Sequence, residues 1–222
     1  MQFDIITIFP EIIDSFFNQS LLKKAQTKGV LKLKVHNLRD FTKDKHKTVD
    51  DKPFGGGRGM VMRADVIDKA VAKLRKSSSK SKTKVILFTP RGKKFNQKMA
   101  TEFSKLDQII MICGRYEGVD ERVAKYVVDE EISIGDYVLM GGEIPALAVV
   151  ESTARLIDGV IGKTEEVKNR ITKSKGFVEY PQYTRPEEIE MGGKNRKAPK
   201  VLLSGNHKDI DTWRDRHSKI IE

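Results

Sequence analysis

The sequence predicts an α/β fold built on a largely parallel sheet, and three observations carry that reading. Strand-like and helix-like segments alternate along the chain, the pattern of successive βαβ units. Two short runs, Val85–Thr89 and Ile109–Cys113, are apolar and β-branched like strands buried on both faces. A helical stretch around Lys94–Lys105 separates them, as a parallel crossover requires.

The remaining elements follow in order. Gln2–Phe9 reads as a strand. Pro10 suits a first helical position, and Ile12, Ile13, Phe16, Phe17 and Leu21 form an apolar helical stripe that Gly29 can stop. Leu31–Val35 alternates apolar and basic residues, as a half-exposed strand does. Asp65–Lys76 reads as a helix, followed by the polar run Ser77–Lys82. Ile132–Ile134 is a further short strand, and Pro145 opens a helix to Ile157. Lys163–Lys175 is polar, basic and aperiodic, which marks a linker. A proline-containing segment and a helix from about Asp209 close the chain. The expected organisation is an α/β domain over 1–162, a flexible linker over 163–176 and a small, mainly helical domain over 177–222.

Composition bounds the function. Hydrophobic residues make up 38% of the 222, enough for a packed core. No apolar run reaches the ~18 residues of a membrane span, and the first residues do not read as a signal peptide. The one cysteine, Cys113, excludes an internal disulfide framework, so the expected location is the cytoplasm, with no membrane partner. A net charge of +11 fits a lysine-rich solubilising surface, and slightly better a polyanionic partner such as nucleic acid.

Several familiar motifs fail. Gly55-Gly56-Gly57-Arg58-Gly59 is not a dinucleotide fingerprint, because Met60 and Met62 stand where a third glycine would fall. Gly162-Lys163-Thr164 is not a P-loop end, because Ile157 stands where its first glycine would be. No histidine or cysteine spacing suggests zinc, so no metal site is expected. Cys113, at the end of an apolar run, reads as packing rather than as a nucleophile.

Three glycine-bearing segments follow strand ends: Thr89-Pro90-Arg91-Gly92, CGRYEGVDER (113–122) and SIGDYVLMGGEIPA (133–146). Ligands in open α/β sheets bind outside the carboxyl ends of strands, and glycine lets backbone approach them closely. Any one loop is ordinary turn chemistry; three in succession favour one ligand pocket.

Together with VDDKPFGGGRGMVM (49–62), EYPQYTRPE (179–187) and VLLSGNH (201–207), the two longer loops resemble the bacterial tRNA (guanine-N1)-methyltransferases. These are the TrmD members of the SPOUT superfamily, and the likeness runs through nearly the whole chain in the same order. The resemblance implies a deep trefoil knot, a rare exception to un-knotted topology. It implies a homodimer with its active site at the interface, S-adenosyl-L-methionine as methyl donor and tRNA as substrate. The target would be N1 of the guanosine immediately 3′ of the anticodon (position 37). Matching the motifs residue by residue assigns Pro90, Gly114, Ile134, Gly135, Asp136, Tyr137, Val138 and Leu139 to the cofactor, with Gly141, Gly142 and Pro145 adjoining. Taken singly, Ile134 and Leu139 read as core.

The guanine side of such a reaction is the difficult one. N1 is a poor nucleophile while it keeps its proton, and negative charge develops at O6. The match assigns Arg155 to O6, although alone it reads as a surface or ion-pairing residue. Glu117 resembles the family's glutamate at the methionine end of the cofactor, while Asp120 serves equally to cap a following helix. Arg39, Lys43, Lys45, His46, Lys47, Lys208 and Arg214 are candidate phosphate contacts. Tyr183 and Arg185 fall in the family's interface and substrate region. The family's general base, usually an aspartate in the linker, has no counterpart: counting along the linker reaches Arg170 or Ile171, with Asn169 beside them. Glu165 and Glu166 are the nearest carboxylates. The sequence leaves a requirement for Mg2+ open. Two alternatives are a related methyltransferase for another RNA and a non-catalytic RNA-binding protein on the same fold.

Overall fold

The computed structural model describes residues 1–75, 82–162, 170–171 and 176–221. Two compact units emerge, Met1–Glu165 and Glu166–Glu222.

The first unit is built on a five-stranded sheet of β1 (Gln2–Thr7), β2 (Lys32–Asn37), β5 (Thr83–Lys94), β6 (Gln108–Ile112) and β7 (Glu130–Ser133). Its spatial order is β2-β1-β6-β5-β7, and every pairing is parallel. Successive residues on a strand point to opposite faces, and here both faces are buried. Phe3, Ile5, Ile86, Phe88, Ile109 and Met111 join one core, against α1 (Pro10–Phe17), α2 (Ser20–Thr27), α4 (Gln97–Phe103) and α6 (Glu143–Ala154). Ile6, Val85, Leu87, Ile110 and Ile112 join the other, against α3 (Ala64–Leu74) and α5 (Glu121–Tyr126). The continuous apolar runs of the central strands follow from this double cover.

Local chemistry corrects several boundaries. The helix expected after Pro10 is two helices, broken where Ser20 takes a left-handed φ of 48°. Gly29, at φ +72°, ends α2: its amide donates to Gln26 at 2.9 Å and the Val30 amide to Ala25 at 3.0 Å, a Schellman closure. The strand expected to end at Thr89 continues to Lys94. Phe88 and Lys93 both lie opposite Ile132, and the four residues between bulge out of the ladder. Pro90 has no N–H to give that ladder. A Cβ on Gly92 would lie 2.5 Å from the Ile132 amide nitrogen, so glycine alone lets the strand return. The helix expected from Lys94 therefore begins at Gln97, where the Asn96 side chain accepts the Met99 amide at 3.0 Å. Pro145 sits inside the first turn of α6, with Gly142 as N-cap. A two-residue ladder, β3 (Asp50–Asp51) with β4 (Val61–Met62), closes the base of the 52–60 loop.

The second unit is less helical than the sequence suggests. Its helices are α7 (Lys200–Leu203) and α8 (His207–His217). It also holds β8 (Phe177–Glu179) paired with β11 (Lys219–Ile221), and a hairpin of β9 (Glu188–Met191) with β10 (Lys194–Lys197). Gly192 and Gly193, at φ +62° and +69°, supply the double left-handed turn that a two-residue hairpin loop needs. Of the expected linker, Arg170, Ile171 and Gly176 are described, and Glu165, Glu166 and Asn169 lie outside the described residues, as do 77–81.

Candidate active site

A cavity of about 440 Å³ opens at the carboxyl ends of β5, β6 and β7, within the range of small-molecule sites. Three loops line it: the 89–91 bulge of β5, the segment 114–119 after β6 and the segment 134–142 after β7. Pro90, Gly114, Ile134, Tyr137, Val138, Leu139, Gly141, Gly142 and Pro145 are all in its wall, and so is Glu117. Gly135 and Asp136 are not. Gly135 lies under the Tyr137 ring, which a Cβ would meet at 2.3 Å, and Asp136 pairs with Lys94 outside the cavity.

Glycine holds the loops together. The Gly142 amide donates to the Gly114 carbonyl at 3.0 Å, and a Cβ on Gly142 would lie 2.6 Å from the Cys113 Cα. A Cβ on Gly141 would meet Arg115 Nε at 2.3 Å and Glu143 Oε2 at 2.5 Å. The two chain segments touch backbone to backbone over a buried ion pair.

That pair is Arg115–Glu143, at 2.9 Å, with side chains 19% and 1% exposed. The Thr7 hydroxyl, at the end of β1, donates to Glu143 Oε1 at 2.6 Å and accepts the Phe9 amide at 3.0 Å. The Arg115 guanidinium stacks over the Phe9 ring at 4.8 Å and donates to the Met140 carbonyl at 3.3 Å. One arginine thus joins the end of β1, the loop after β6 and the loop after β7. Neither Arg115 nor Glu143 was singled out from the sequence. They stand 28 positions apart and share no periodicity.

Charge in the cavity is unevenly matched. Arg91 lies between Glu121 and Glu131, and the hydrogen bonds it donates to these carboxylates raise its guanidinium above the ordinary value. Arg115 is held by Glu143. The Glu117 carboxylate has no ion-pair partner among the described residues and is exposed to the cavity. Its neighbour Tyr116 is held at φ +59°, an uncommon conformation for a residue with a side chain. Asp120 caps α5: its carboxylate accepts from the Arg122 side chain and amide, which hold it below the usual carboxylate range despite partial burial. Burial pushes the Cys113 thiol well up, leaving an inert packed side chain.

Arg155 is not in the cavity wall. It is the C-cap of α6, whose 12 residues place it roughly 20 Å along the axis from Gly142. Of the candidate phosphate contacts, Lys43, Lys45, His46 and Lys47 are exposed on one loop, where Asp44 accepts from the Thr48 hydroxyl and amide. Arg39 donates to the Lys47 carbonyl at 3.3 Å. In the second unit Lys208 is exposed, and Arg214 pairs with Asp211 at 3.2 Å and stacks over Tyr180 at 5.1 Å. Tyr183 meets Trp213 edge-on at 6.2 Å. Among the described residues no group of three or more His, Cys, Asp or Glu is placed to hold a metal ion, and no helix is long and apolar enough to cross a membrane.

Comparison with known proteins gives the family. The family model of tRNA (Guanine-1)-methyltransferase TrmD matches residues 1–220. The chain belongs to this family. A tRNA (guanine-N(1)-)-methyltransferase of Dictyoglomus turgidum is 52% identical over 218 residues, covering 98% of this chain and 85% of the relative. Relatives of the same name are 48% identical in Carboxydothermus hydrogenoformans (98% and 83% covered) and 47% in Clostridioides difficile (98% and 92% covered). Membership brings the glycine loop of 49–62 and the two cavity loops under one heading, which their separate motif tests did not.

Proposed function

We propose that the chain transfers a methyl group from S-adenosyl-L-methionine to N1 of the guanosine immediately 3′ of the anticodon (position 37) in tRNA. Family membership over residues 1–220 carries this reading.

The cavity supports the donor. Its volume suits a nucleoside-sized ligand. Its unpaired carboxylate, Glu117, suits a ligand that is cationic at sulfur and at the amino group. Pro90, Gly114, Ile134, Tyr137, Val138 and Leu139 hold the cofactor, with Gly141, Gly142 and Pro145 adjoining, while Gly135 and Asp136 shape the 134–139 loop from outside the wall. When bound, the cofactor supplies an electrophilic methyl group. The protein's task is then to hold guanine N1 in line with it and to accommodate charge at O6.

Arg155 is the residue for O6, and its place outside the wall supports a site shared between two copies. Arg155, roughly 20 Å along α6 from Gly142, is outside the cavity wall of its own chain. In a homodimer with a shared site, Arg155 of one copy faces the cavity of the other. Exposed Phe9, Ile12, Phe16 and Leu21 along α1 and α2, and Ile144 on α6, supply the apolar surface such a contact buries. A trefoil knot fits the path of the chain, which leaves edge strand β7 and returns past β5 to lie on β6, with α6 against β1. Residues 177–222 serve as the tRNA-binding domain beyond the linker 163–176, and tRNA as substrate places the enzyme in the cytoplasm.

Arg170 is not the base. Its Nε donates to the Val178 carbonyl at 2.9 Å, it pairs with Glu179 at 2.8 Å, and it stacks on Phe177 and Tyr180. The proton passes to Glu165, to Glu166 or to water. Single-turnover rates of Glu165→Gln, Glu166→Gln and the double variant separate these routes. A loss of ~100-fold in one variant identifies the base, and unchanged rates in all three leave water.

The reading as a whole is tested with radiolabelled S-adenosylmethionine and total tRNA, followed by mapping of the product. Label at N1 of guanine 3′ of the anticodon is expected. No incorporation leaves an RNA-binding protein, and label in another RNA or at another base leaves a methyltransferase of different specificity.

A further inference from the structure

The glycine loop between β3 and β4 has no place in the cavity, yet its geometry is organised around one side chain. Phe54 is 99% exposed, the most exposed large hydrophobic residue among those described. The Gly56 amide donates to the Pro53 carbonyl at 3.3 Å, closing a turn with Phe54 and Gly55 at its centre. Gly55, at φ +86°, is what the third position of a type II turn demands. Gly56 and Gly57 follow at φ +78° and +124°. A Cβ on any of the three would meet nothing within 4 Å. Packing therefore does not require these glycines; the backbone conformation does, and that conformation carries a phenyl ring out into solvent.

The loop is fastened beside the cavity. The β3–β4 ladder closes its base. The Glu117 amide donates to the Met60 carbonyl at 3.0 Å, the Met62 amide to Gly118 at 2.9 Å, and the Asp120 amide to Met62 at 3.0 Å. The Glu117 side chain lies against Gly59, where a Cβ would meet its Cγ at 2.5 Å. The segment that bears Glu117 and lines the cavity is thus zipped to the carboxyl end of the loop. Lys52 and Arg58, both exposed, flank the ring with cations suited to phosphate.

We propose that Phe54 is a substrate-positioning residue: its ring stacks on the nucleobase adjoining the target guanine when that guanine leaves its own stack. This rests on the function proposed above. A methyl group held in a cavity is out of reach of a stacked base, so the target must swing out, and its neighbour loses a stacking face. An aromatic ring beside the cavity replaces that face, and a ring needs no particular base to do so.

Unmodified tRNA, single-turnover kinetics and calorimetry with S-adenosylhomocysteine test the proposal on the full chain. Phe54→Ala and Phe54→Leu should each lower kcat/KM roughly 5- to 150-fold, the span of base–aromatic stacking. Phe54→Tyr and Phe54→Trp should restore it, since both keep an aromatic face. Cofactor-product affinity should be unchanged in all four, and an exposed position makes folding defects unexpected. The indole emission of Phe54→Trp, read against the wild-type chain whose one tryptophan is Trp213, should be quenched when tRNA is added. A wild-type chain that does not methylate tRNA overturns the functional reading, and the stacking role with it. A wild-type chain that does, with Phe54→Ala equal to it or Phe54→Leu fully active, overturns the stacking role alone. So does a fall in S-adenosylhomocysteine affinity that matches the fall in rate.

Discussion

Glu143→Ala removes the acceptor at the centre of the cavity's support. In the folded chain Glu143 is 1% exposed, pairs with Arg115 at 2.9 Å and accepts from Thr7 at 2.6 Å. Without it, the guanidinium keeps only the Met140 carbonyl and the Phe9 ring, and the Thr7 hydroxyl loses its acceptor. Removing one member of a buried ion pair costs about 3–5 kcal/mol. Arg115 is 19% exposed, so water reaches part of it, and the expected loss is at the low end, about 3 kcal/mol. For a unit of this size that is a fall in melting temperature of roughly 6–12 °C. Glu143→Gln keeps an oxygen for Thr7 and loses only the charge, so about 1.5 kcal/mol is expected. The loop that Arg115 ties down at Met140 also lines the cavity, so S-adenosylhomocysteine should bind about tenfold or more weakly, ~1.4 kcal/mol. Thermal melts and titration calorimetry read the two effects. Replacing both partners together, as Arg115→Met with Glu143→Leu, should recover stability without recovering affinity, because an apolar pair needs no partner but no longer holds the loop. A Glu143→Ala melt within ~0.5 kcal/mol of wild type, or intact ligand affinity, would refute the reasoning; the first is the usual scale of a surface change.

Gly92→Ala should prevent stable folding of the first unit, because its Cβ would lie 2.5 Å from the Ile132 amide nitrogen, whereas Gly56→Ala has open space and should cost only ~1–2 kcal/mol of backbone strain; melts of the two separate crowding from strain. Cys113 should resist thiol reagents in the native protein and react fully once unfolded, so stoichiometric labelling of the folded chain would contradict its burial. Burial alone would raise the Asp4 carboxyl, but hydrogen bonds from His36, Gln108 and Gln2 outweigh it and hold it below its ordinary value. Its contribution to stability is therefore present above the unfolded-state value, ~4, and is lost as pH falls through the lower folded value. Asp4→Asn should be less stable at neutral pH and lose less between neutral and pH ~2 in acid-unfolding curves. RNA affinity should fall steeply with salt on a log–log plot, and a flat line would mean the +11 charge is not the footprint.

The sheet was legible because its strands are buried on both faces: QIIMI at Gln108–Ile112 has no polar alternation to confuse with a helix or an edge strand. The bulge of β5 was not, because nothing in Thr89-Pro90-Arg91-Gly92 says that the chain resumes pairing afterwards. That fact lives in the Gly92–Ile132 approach, a contact between segments 40 residues apart. The β9–β10 hairpin was missed for a different reason. All eight of its strand residues are exposed, the alternation of Ile189 and Met191 spans only four residues, and β10 is wholly polar, so Gly192-Gly193 is the clearest mark of the turn. A small unit stiffened by polar strands leaves its helix as the one visible element.

The cavity wall shows the same division. Glycines at strand ends pointed to the loops because close backbone approach leaves a compositional trace. The side chains that fix those loops left none. Arg115 is an arginine among 42 basic residues, and Glu143 a helix-start glutamate of a kind that decorates many solvated helices. What distinguishes them is that the fold buries both and gives each the other. Arg170 makes the converse point. Its position in the linker invites comparison with the family's general base, but its guanidinium is taken up by the Val178 carbonyl, Glu179 and two aromatic rings. A group so engaged braces the strand at Phe177–Glu179. Any residue that takes the guanine proton must therefore differ from the one that occupies this place, and that requirement is what the Glu165 and Glu166 variants put to the test.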